Sequence, residues 1–299
     1  MDRVHGQSER LRGIDLTKRS SFSKEYVLEE LDLLASKITV QIRLFIIGGL
    51  GLINFGLKEA TKDVDVVVQS RRELYALTRG LRSLGYGPLS PSLISRPYKK
   101  MEASRILENN DGFRWDIFLN QISGALVFSK GMASRSTSFY GKGPLKASLA
   151  SKEDLFLLKG ITEREADLDD MRLLAETGLD WRTIEQECKN QSTSSGRLWE
   201  NALLQNLIDL RERHNIRSPI EQTLQKVVEE RLSEDELALA VKKGCVTVKM
   251  ISETTRLPQH WVREYAKKME EKGLLRVDRS GHPHKLALVA RPKSVKPTR

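Results

Sequence analysis

Cysteine is nearly missing from this sequence: 299 residues contain only Cys188 and Cys245, and neither has a neighbour at metal-ligand spacing. That argues against a disulfide framework and against a structural zinc site, and it suits a reducing cytoplasm. Long apolar runs are missing too. Residues 44–57 form the longest such stretch near the first motif, but four glycines and an Asn interrupt it, so it is too short and too broken to span a bilayer. Any membrane contact is expected to be peripheral. The opening MDRVHGQSERLRG is polar and has no apolar segment behind its basic residues, so no secretory signal is expected. No internal repeat of useful length is visible. Acidic residues are scarce in one region only: residues 242–299 hold fifteen Lys or Arg against five Asp or Glu. The whole chain is also +10, so residues 1–241 are neutral and a polyanionic partner is expected to meet the C-terminal part.

What is present is an ordinary globular mixture, 39% apolar and 30% charged, long enough for two or three domains. After a loose lead-in over 1–21, Ser23 is placed to cap a helix to about Ile38, with Val27, Leu31, Leu34 and Ile38 as its apolar stripe. The branched run 40–47 reads as a strand ending at Gly48-Gly49. A short helix over 50–57, a strand over 63–68 and a helix over 71–84 closed by Gly85 follow. Residues 86–100 contain three prolines and read as loop with a strand near Ile94. Strands are expected at 103–107, 113–119 and around 137–140, the first two separated by the turn-forming Asn109-Asn110-Asp111-Gly112. Ser151 with Asp154 then resembles a capping box that opens a helix to Gly160. Helical periodicity continues over 163–176, 181–189, 196–213 and 219–231. The segment QSTSSG over 191–196 reads as a linker, and Ser233 with Glu236 as a second capping box opening a helix over 234–243.

The most informative segment is FIIGGLGLINFGLKEATKDVDVVV, residues 45–68. Alternate side chains of a strand share a face, so Asp63 and Asp65 project together while Val64 and Val66 point the other way. Two carboxylates side by side repel each other. A divalent cation relieves that repulsion, and Mg²⁺ favours carboxylate oxygens together with phosphate oxygens. A third acid, Asp116 in FRWDIFLN, lies where a neighbouring strand would bring it alongside. Gly48-Gly49 permits close backbone approach and can aim peptide N–H groups at phosphate. Trp115, beside Asp116, should face the other side of its strand and is read as packing.

Over roughly residues 40–117 and on into the helices, this pattern resembles the DNA polymerase beta-like nucleotidyltransferase superfamily. GLKEATKDVDVVV is similar to its branch of toxins from toxin-antitoxin systems. The resemblance implies a mixed sheet with helices, Asp63, Asp65 and Asp116 as catalytic and metal-binding acids, and Gly48 and Gly49 at the nucleotide phosphates. It also implies Mg²⁺ as cofactor and an NTP such as ATP as co-substrate. Many relatives carry Ser or Thr after the glycines; Leu50 stands there here, so that hydroxyl contact is missing. SKEDLFLLKGITEREADLDDMRLL, residues 151–174, is similar to the helical continuation of the same branch, which makes Lys159 the candidate for the triphosphate. Arg164, Asp167 and Asp170 are read as a local ion-pair group on one helix. Lys58 and Lys62 add positive potential toward ATP or RNA, or are simply a solvated basic surface.

From Asp235 onward the pattern fits three helices and a hairpin, and over 235–290 it resembles a winged helix-turn-helix domain. Pro258 suits an early helical position. Val262, Tyr265, Met269 and Leu274 form its buried side. Gln259, His260, Arg263, Lys267 and, at the hairpin tip, Arg279 are the candidates for nucleic acid. His260, His282 and His284 are read as surface histidines without metal. The expected architecture is therefore α+β: a nucleotidyltransferase-type core over 23–145, a helical extension over 146–232, a winged helix over 233–291 and a flexible tail over 292–299. The expected activity is metal-dependent transfer of a nucleoside monophosphate to an acceptor hydroxyl, with tRNA or another nucleic acid as partner and an antitoxin protein as a further one by resemblance. A small-molecule acceptor stays open. The alternative is a DNA-binding regulator carrying an inactive nucleotidyltransferase domain.

Overall fold

The computed structural model describes residues 18–89, 102–122, 126–161 and 164–289. The strand expected near Ile94 and the tail over 292–299 lie outside them. The chain divides into two compact units, Met1–Ser218 and Pro219–Arg299.

In the first unit the helix starts follow local chemistry. The hydroxyl of Ser23 accepts the Tyr26 N–H to open α1 (Lys24–Lys37), and that of Ser70 accepts the Glu73 N–H to open α3 (Arg71–Ser83). The carboxylate of Glu73 reaches back to the Gln69 N–H and the Ser70 hydroxyl, so the two side chains fix each other at that helix start. Between these helices lie β1 (Ile42–Ile46), α2 (Gly49–Asn54) and β2 (Asp63–Val68). There follow β3 (Gly87–Pro88), β4 (Arg105–Glu108), β5 (Arg114–Leu119), β6 (Gln121–Ile122), β7 (Leu126–Val127), α4 (Lys130–Arg135), β8 (Thr137–Lys142) and β9 (Leu145–Leu149). Four helices complete the unit: α5 (Lys152–Gly160), α6 (Glu165–Ala175), α7 (Trp181–Ser195) and α8 (Trp199–His214).

Seven strands make one mixed sheet in the order β3-β4-β5-β2-β1-β9-β8, with β1/β9 and β2/β5 parallel and the other neighbours antiparallel. The mixed sheet with helices agrees with the α+β expectation. One face of it is dry: Ile42, Leu44, Ile46, Val64, Val66, Val68, Trp115, Ile117, Leu145, Ala147 and Leu149 pack with Val27, Leu31 and Leu34 of α1 and Leu74, Leu77 and Leu81 of α3. Trp115 is fully buried in this core, as its strand position implied. Alternation then forces Phe45, Asp63, Asp65, Asp116, Lys146 and Ser148 onto the opposite face.

Besides the short elements β3, β6, β7 and α4, for which the sequence gives no expectation, three features depart from the sequence reading. The strand β9 was not anticipated, although Leu145, Ala147 and Leu149 alternate cleanly; at five residues it is legible only once β1 is there to pair with. The segment 191–196 is no linker. Its first five residues end α7, where the hydroxyls of Thr193, Ser194 and Ser195 bond carbonyls three or four residues back, and Gly196 closes the helix at φ +70°. Gln191 is buried there and holds both backbone groups of Val127.

The second unit contains α9 (Glu221–Lys242), α10 (Val248–Thr255), α11 (Gln259–Glu271) and the antiparallel hairpin β10 (Leu275–Asp278) and β11 (Lys285–Leu288). Leu237, Ala240, Ile251, Val262, Ala266, Met269, Leu275 and Leu286 form its core. Here the third departure occurs: Ser233 caps nothing, because α9 runs through it without a break and the boundary expected at 232/233 falls inside one helix. No Gly or Pro occurs between 221 and 242, so good helix formers on both sides outweigh a cap that would save one hydrogen bond. Ser233→Ala is accordingly expected to leave stability unchanged or raise it by up to about 0.5 kcal/mol. Loss of a helix cap would instead cost about 1 kcal/mol, and urea denaturation followed by far-UV circular dichroism separates the two outcomes.

Candidate functional site

The parallel pairing of β2 with β5 sets Asp65 directly beside Asp116 and Asp63 beside Arg114. All four side chains therefore share the face of the sheet opposite its dry core. The turn after β1 closes over them. A Cβ at Gly48 would stand 1.9 Å from Oδ2 of Asp65, and one at Gly49 would stand 2.7 Å from the Thr61 hydroxyl, so both positions demand the absence of a side chain. Thr61 in turn donates to the Asp63 carbonyl at 2.8 Å, which fixes the entry into β2.

Asp116 has no exposed surface and Asp65 is 9% exposed. Among the described residues neither oxygen of Asp116 accepts a hydrogen bond; Nε of Arg114 lies 3.0 Å from its Oδ1, out of alignment for one. The same guanidinium is ion-paired to Asp63. Burial pushes the Asp65 carboxyl up to about 7, helped by the neighbouring charge of Asp63 and opposed by Arg164, Lys159 and Arg114. Burial, with the charges of Asp65 and Asp63, holds Asp116 well above the usual carboxylate range. Three acids that cannot all ionise cheaply, one lacking any hydrogen bond, are a donor set whose chemistry fits a divalent cation. No group of three or more His, Cys, Asp or Glu is arranged as a ready metal cage among the described residues, and Arg114 contacts two of the three acids.

A second charged group adjoins the first. Lys159 of α5 is 7% exposed, with Nζ 3.0 Å from Asp167 and 2.6 Å from Asp170 of α6. Arg164 donates twice to Asp167, at 2.7 and 2.8 Å, and Lys58 pairs with Asp170. Burial works against the charge on Lys159, but Asp167 and Asp170 outweigh it and hold the ammonium above its ordinary value. Arg164 is raised in the same way, and the charges of Asp65 and Asp63 contribute to that rise. The ion pair between Arg164 and Asp167 is thus present as read from the helix, yet it belongs to the carboxylate site rather than to a remote surface. Five carboxylates and four cations make the assembly one negative charge in excess when all are ionised, which a proton on Asp65 or Asp116 neutralises. Lys62 is exposed and has no place in it.

Arg114 was missed in the sequence. The signal was available: it stands two residues before Asp116 in β5 and so must share its face.

The nucleic-acid candidates lie in the second unit. Gln259, His260, Arg263 and Lys267 are exposed along α11. Arg279 is exposed at the hairpin but its guanidinium is taken by the Glu270 carboxylate. His282 and His284 stack on each other at 4.7 Å. Trp261 is 45% exposed beside this row, an aromatic the sequence reading left unassigned.

The chain matches no known family in a scan of protein-family models, and a search of curated proteins likewise returns no match.

The raised Asp65 carboxyl has a stability consequence. The folded protein keeps a proton that the unfolded chain, with an ordinary value near 3.9, releases. The contribution of Asp65 to stability is therefore expected to fall as pH rises from about 4 to about 7 and to level off above that. Asp65→Asn removes this dependence. In the presence of a chelator its melting temperature should exceed that of the wild type at about pH 8, with the gap closing toward about pH 4. A gap independent of pH would contradict the assignment.

Proposed function

We propose that the first unit is a metal-dependent nucleotidyltransferase that moves a nucleoside monophosphate from an NTP to a hydroxyl of a nucleic acid, with tRNA the acceptor favoured by the resemblance. The observation that carries this reading is the β2/β5 register, which sets Asp65 beside a wholly buried Asp116 that accepts no hydrogen bond among the described residues, with Asp63 on the same face. Asp63, Asp65 and Asp116 would hold Mg²⁺, which when bound draws the phosphate oxygens to the acids and neutralises charge developing in the displacement.

The rest of the chemistry falls to the chain. Asp116, beside Asp65 on the same face, is placed to take the proton of the acceptor hydroxyl in its ionised form. The hydroxyl oxygen then forms its bond to the α-phosphorus as the bond to the bridging oxygen breaks, and pyrophosphate leaves with the electron pair. Gly48 and Gly49 allow the backbone close to the phosphates. Arg164 and Lys159 supply fixed positive potential, held in place by Asp167 and Asp170. Arg114, paired with Asp63 and 3.0 Å from Asp116, offsets part of their charge from within the sheet. The second unit, read as a winged helix, offers Gln259, His260, Arg263 and Lys267 to the nucleic acid.

A second reading draws on the same arginine. With Arg114 on Asp63 and Asp116, and Lys159 between two acids, the unit could serve as a nucleotide sensor in a DNA-binding regulator. Incubation of the protein with each α-labelled NTP, Mg²⁺ and total RNA, DNA or protein distinguishes them. Transfer predicts a labelled macromolecule, lost by about 1,000-fold in Asp63→Ala/Asp65→Ala, on the order of 4 kcal/mol of transition-state stabilisation. Sequence-specific duplex binding with no labelled product in any fraction would replace the transferase by the regulator.

A further inference from the structure

The face of the sheet that carries the carboxylates does not end with them. Along β1 and β9 the same face presents Arg43 and Lys146, which are direct register partners on neighbouring parallel strands. Side chains so placed lie about 5 Å apart at Cβ, and like charges at that spacing destabilise a sheet. Arg and Lys there would ordinarily be relieved by an acid. Among the described residues neither has a carboxylate partner; Glu73, which approaches this strand, is occupied with the Arg43 and Gln69 backbone N–H groups. Both cations are exposed.

They border a cleft of about 420 Å³. Its floor is one register row further along, where Phe45, Ser148 and Ser138 stand side by side on β1, β9 and β8. The hydroxyls of Ser138 and Ser148 thus face each other across two strands. Opposite Lys146 on β8 is Gly141, at which an added Cβ would meet nothing within 4 Å, so the edge beside the lysine is open. Two cations without a carboxylate partner among the described residues, two hydroxyl donors and an open rim make a site for an anion with several oxygens, and a phosphate has oxygens enough to accept from both cations.

Position selects which phosphate. Ile47, whose N–H bonds the Asp65 carbonyl at 3.0 Å, is four residues beyond Arg43. At about 3.3 Å per residue the Phe45 row of the cleft is roughly 7 Å along the strand from the carboxylates, and its Arg43/Lys146 end is roughly 13 Å along. A triphosphate anchored at the acids is shorter than that, whereas a nucleic-acid strand whose terminal hydroxyl lies at Asp116 has backbone phosphates at such a distance. We infer that the Arg43/Lys146 cleft binds a backbone phosphate of the acceptor strand. This inference rests on the transferase reading for its choice of ligand, and the cleft itself is independent of it.

The test is equilibrium binding of a short fluorescein-labelled single-stranded RNA to the full chain, wild type against Arg43→Gln/Lys146→Gln, over a series of KCl concentrations. Loss of the one phosphate contact should weaken binding about tenfold and reduce the slope of log K against log salt by about 0.7. Lys146→Glu is the second variant. It exchanges the like-charge pair for an Arg–Glu pair, so it should melt no lower than wild type while losing RNA affinity at least as strongly. Wild-type affinity and salt slope in both variants would overturn the inference. The readout needs no turnover: RNA binding lost in these variants from a chain that labels nothing would sink the transferase and spare the cleft. Label transfer with an unchanged acceptor KM in both variants would do the reverse.

Discussion

Three carboxylates share one face of two adjacent strands, and one of them is removed from solvent completely. Burying ionised acids together is costly, because each loses its hydration and repels the others. Much of the surrounding unit is arranged as a response to that cost. Arg114 is aimed at two of the acids from within the same sheet, Arg164 and Lys159 bring positive potential from the helical side, and Asp65 and Asp116 bind protons more tightly than carboxyls in water. Gly48 completes the arrangement by having nothing where a methyl group would collide with Asp65.

The helical layer follows from the same constraint. Lys159 sits where an ammonium would ordinarily lose its charge, and two aspartates on the next helix keep it. Those aspartates also hold Arg164 and Lys58. Removing one partner from such a group strands the others in a medium of low dielectric, so the cluster acts as a unit rather than as separate pairs. The opposite face of the sheet carries no comparable burden. It is an apolar surface against α1 and α3, and its role is to keep the strands in the register that brings the acids together. Where the face is charged but not enclosed, at Arg43 and Lys146, no such response is present among the described residues, and that difference distinguishes a surface open to an anion from a site balanced internally.

The second unit distributes its charge differently. Its basic side chains are exposed, several are paired with acids on the same helix, and Arg279 is held by Glu270, so its field is a broad one and not a built pocket. Its apolar core is small and depends on three helices and a hairpin meeting at Leu237, Ile251, Val262 and Leu286. No helix among the described residues is long and apolar enough to cross a membrane.

The strand 63–68, residue for residue, the caps at Ser23 and Ser151, the burial of Trp115 and the common face of Asp63 and Asp65 were legible before any fold was known, because each rests on local periodicity or on a side chain bonding its own backbone. Local rules also misled: the hydroxyls of residues 193–195 looked like a linker and instead bond within a helix, and Ser233 looked like a cap inside an uninterrupted one. The folded chain was needed to place Asp116 beside Asp65, Arg114 against two of the acids, Lys159 between Asp167 and Asp170, and Arg43 next to Lys146. Those are pairings between residues far apart in the chain or on different elements. Strand order and register set them, and the energy that chooses a register is spread over the whole sheet and both its faces, so no single segment carries it.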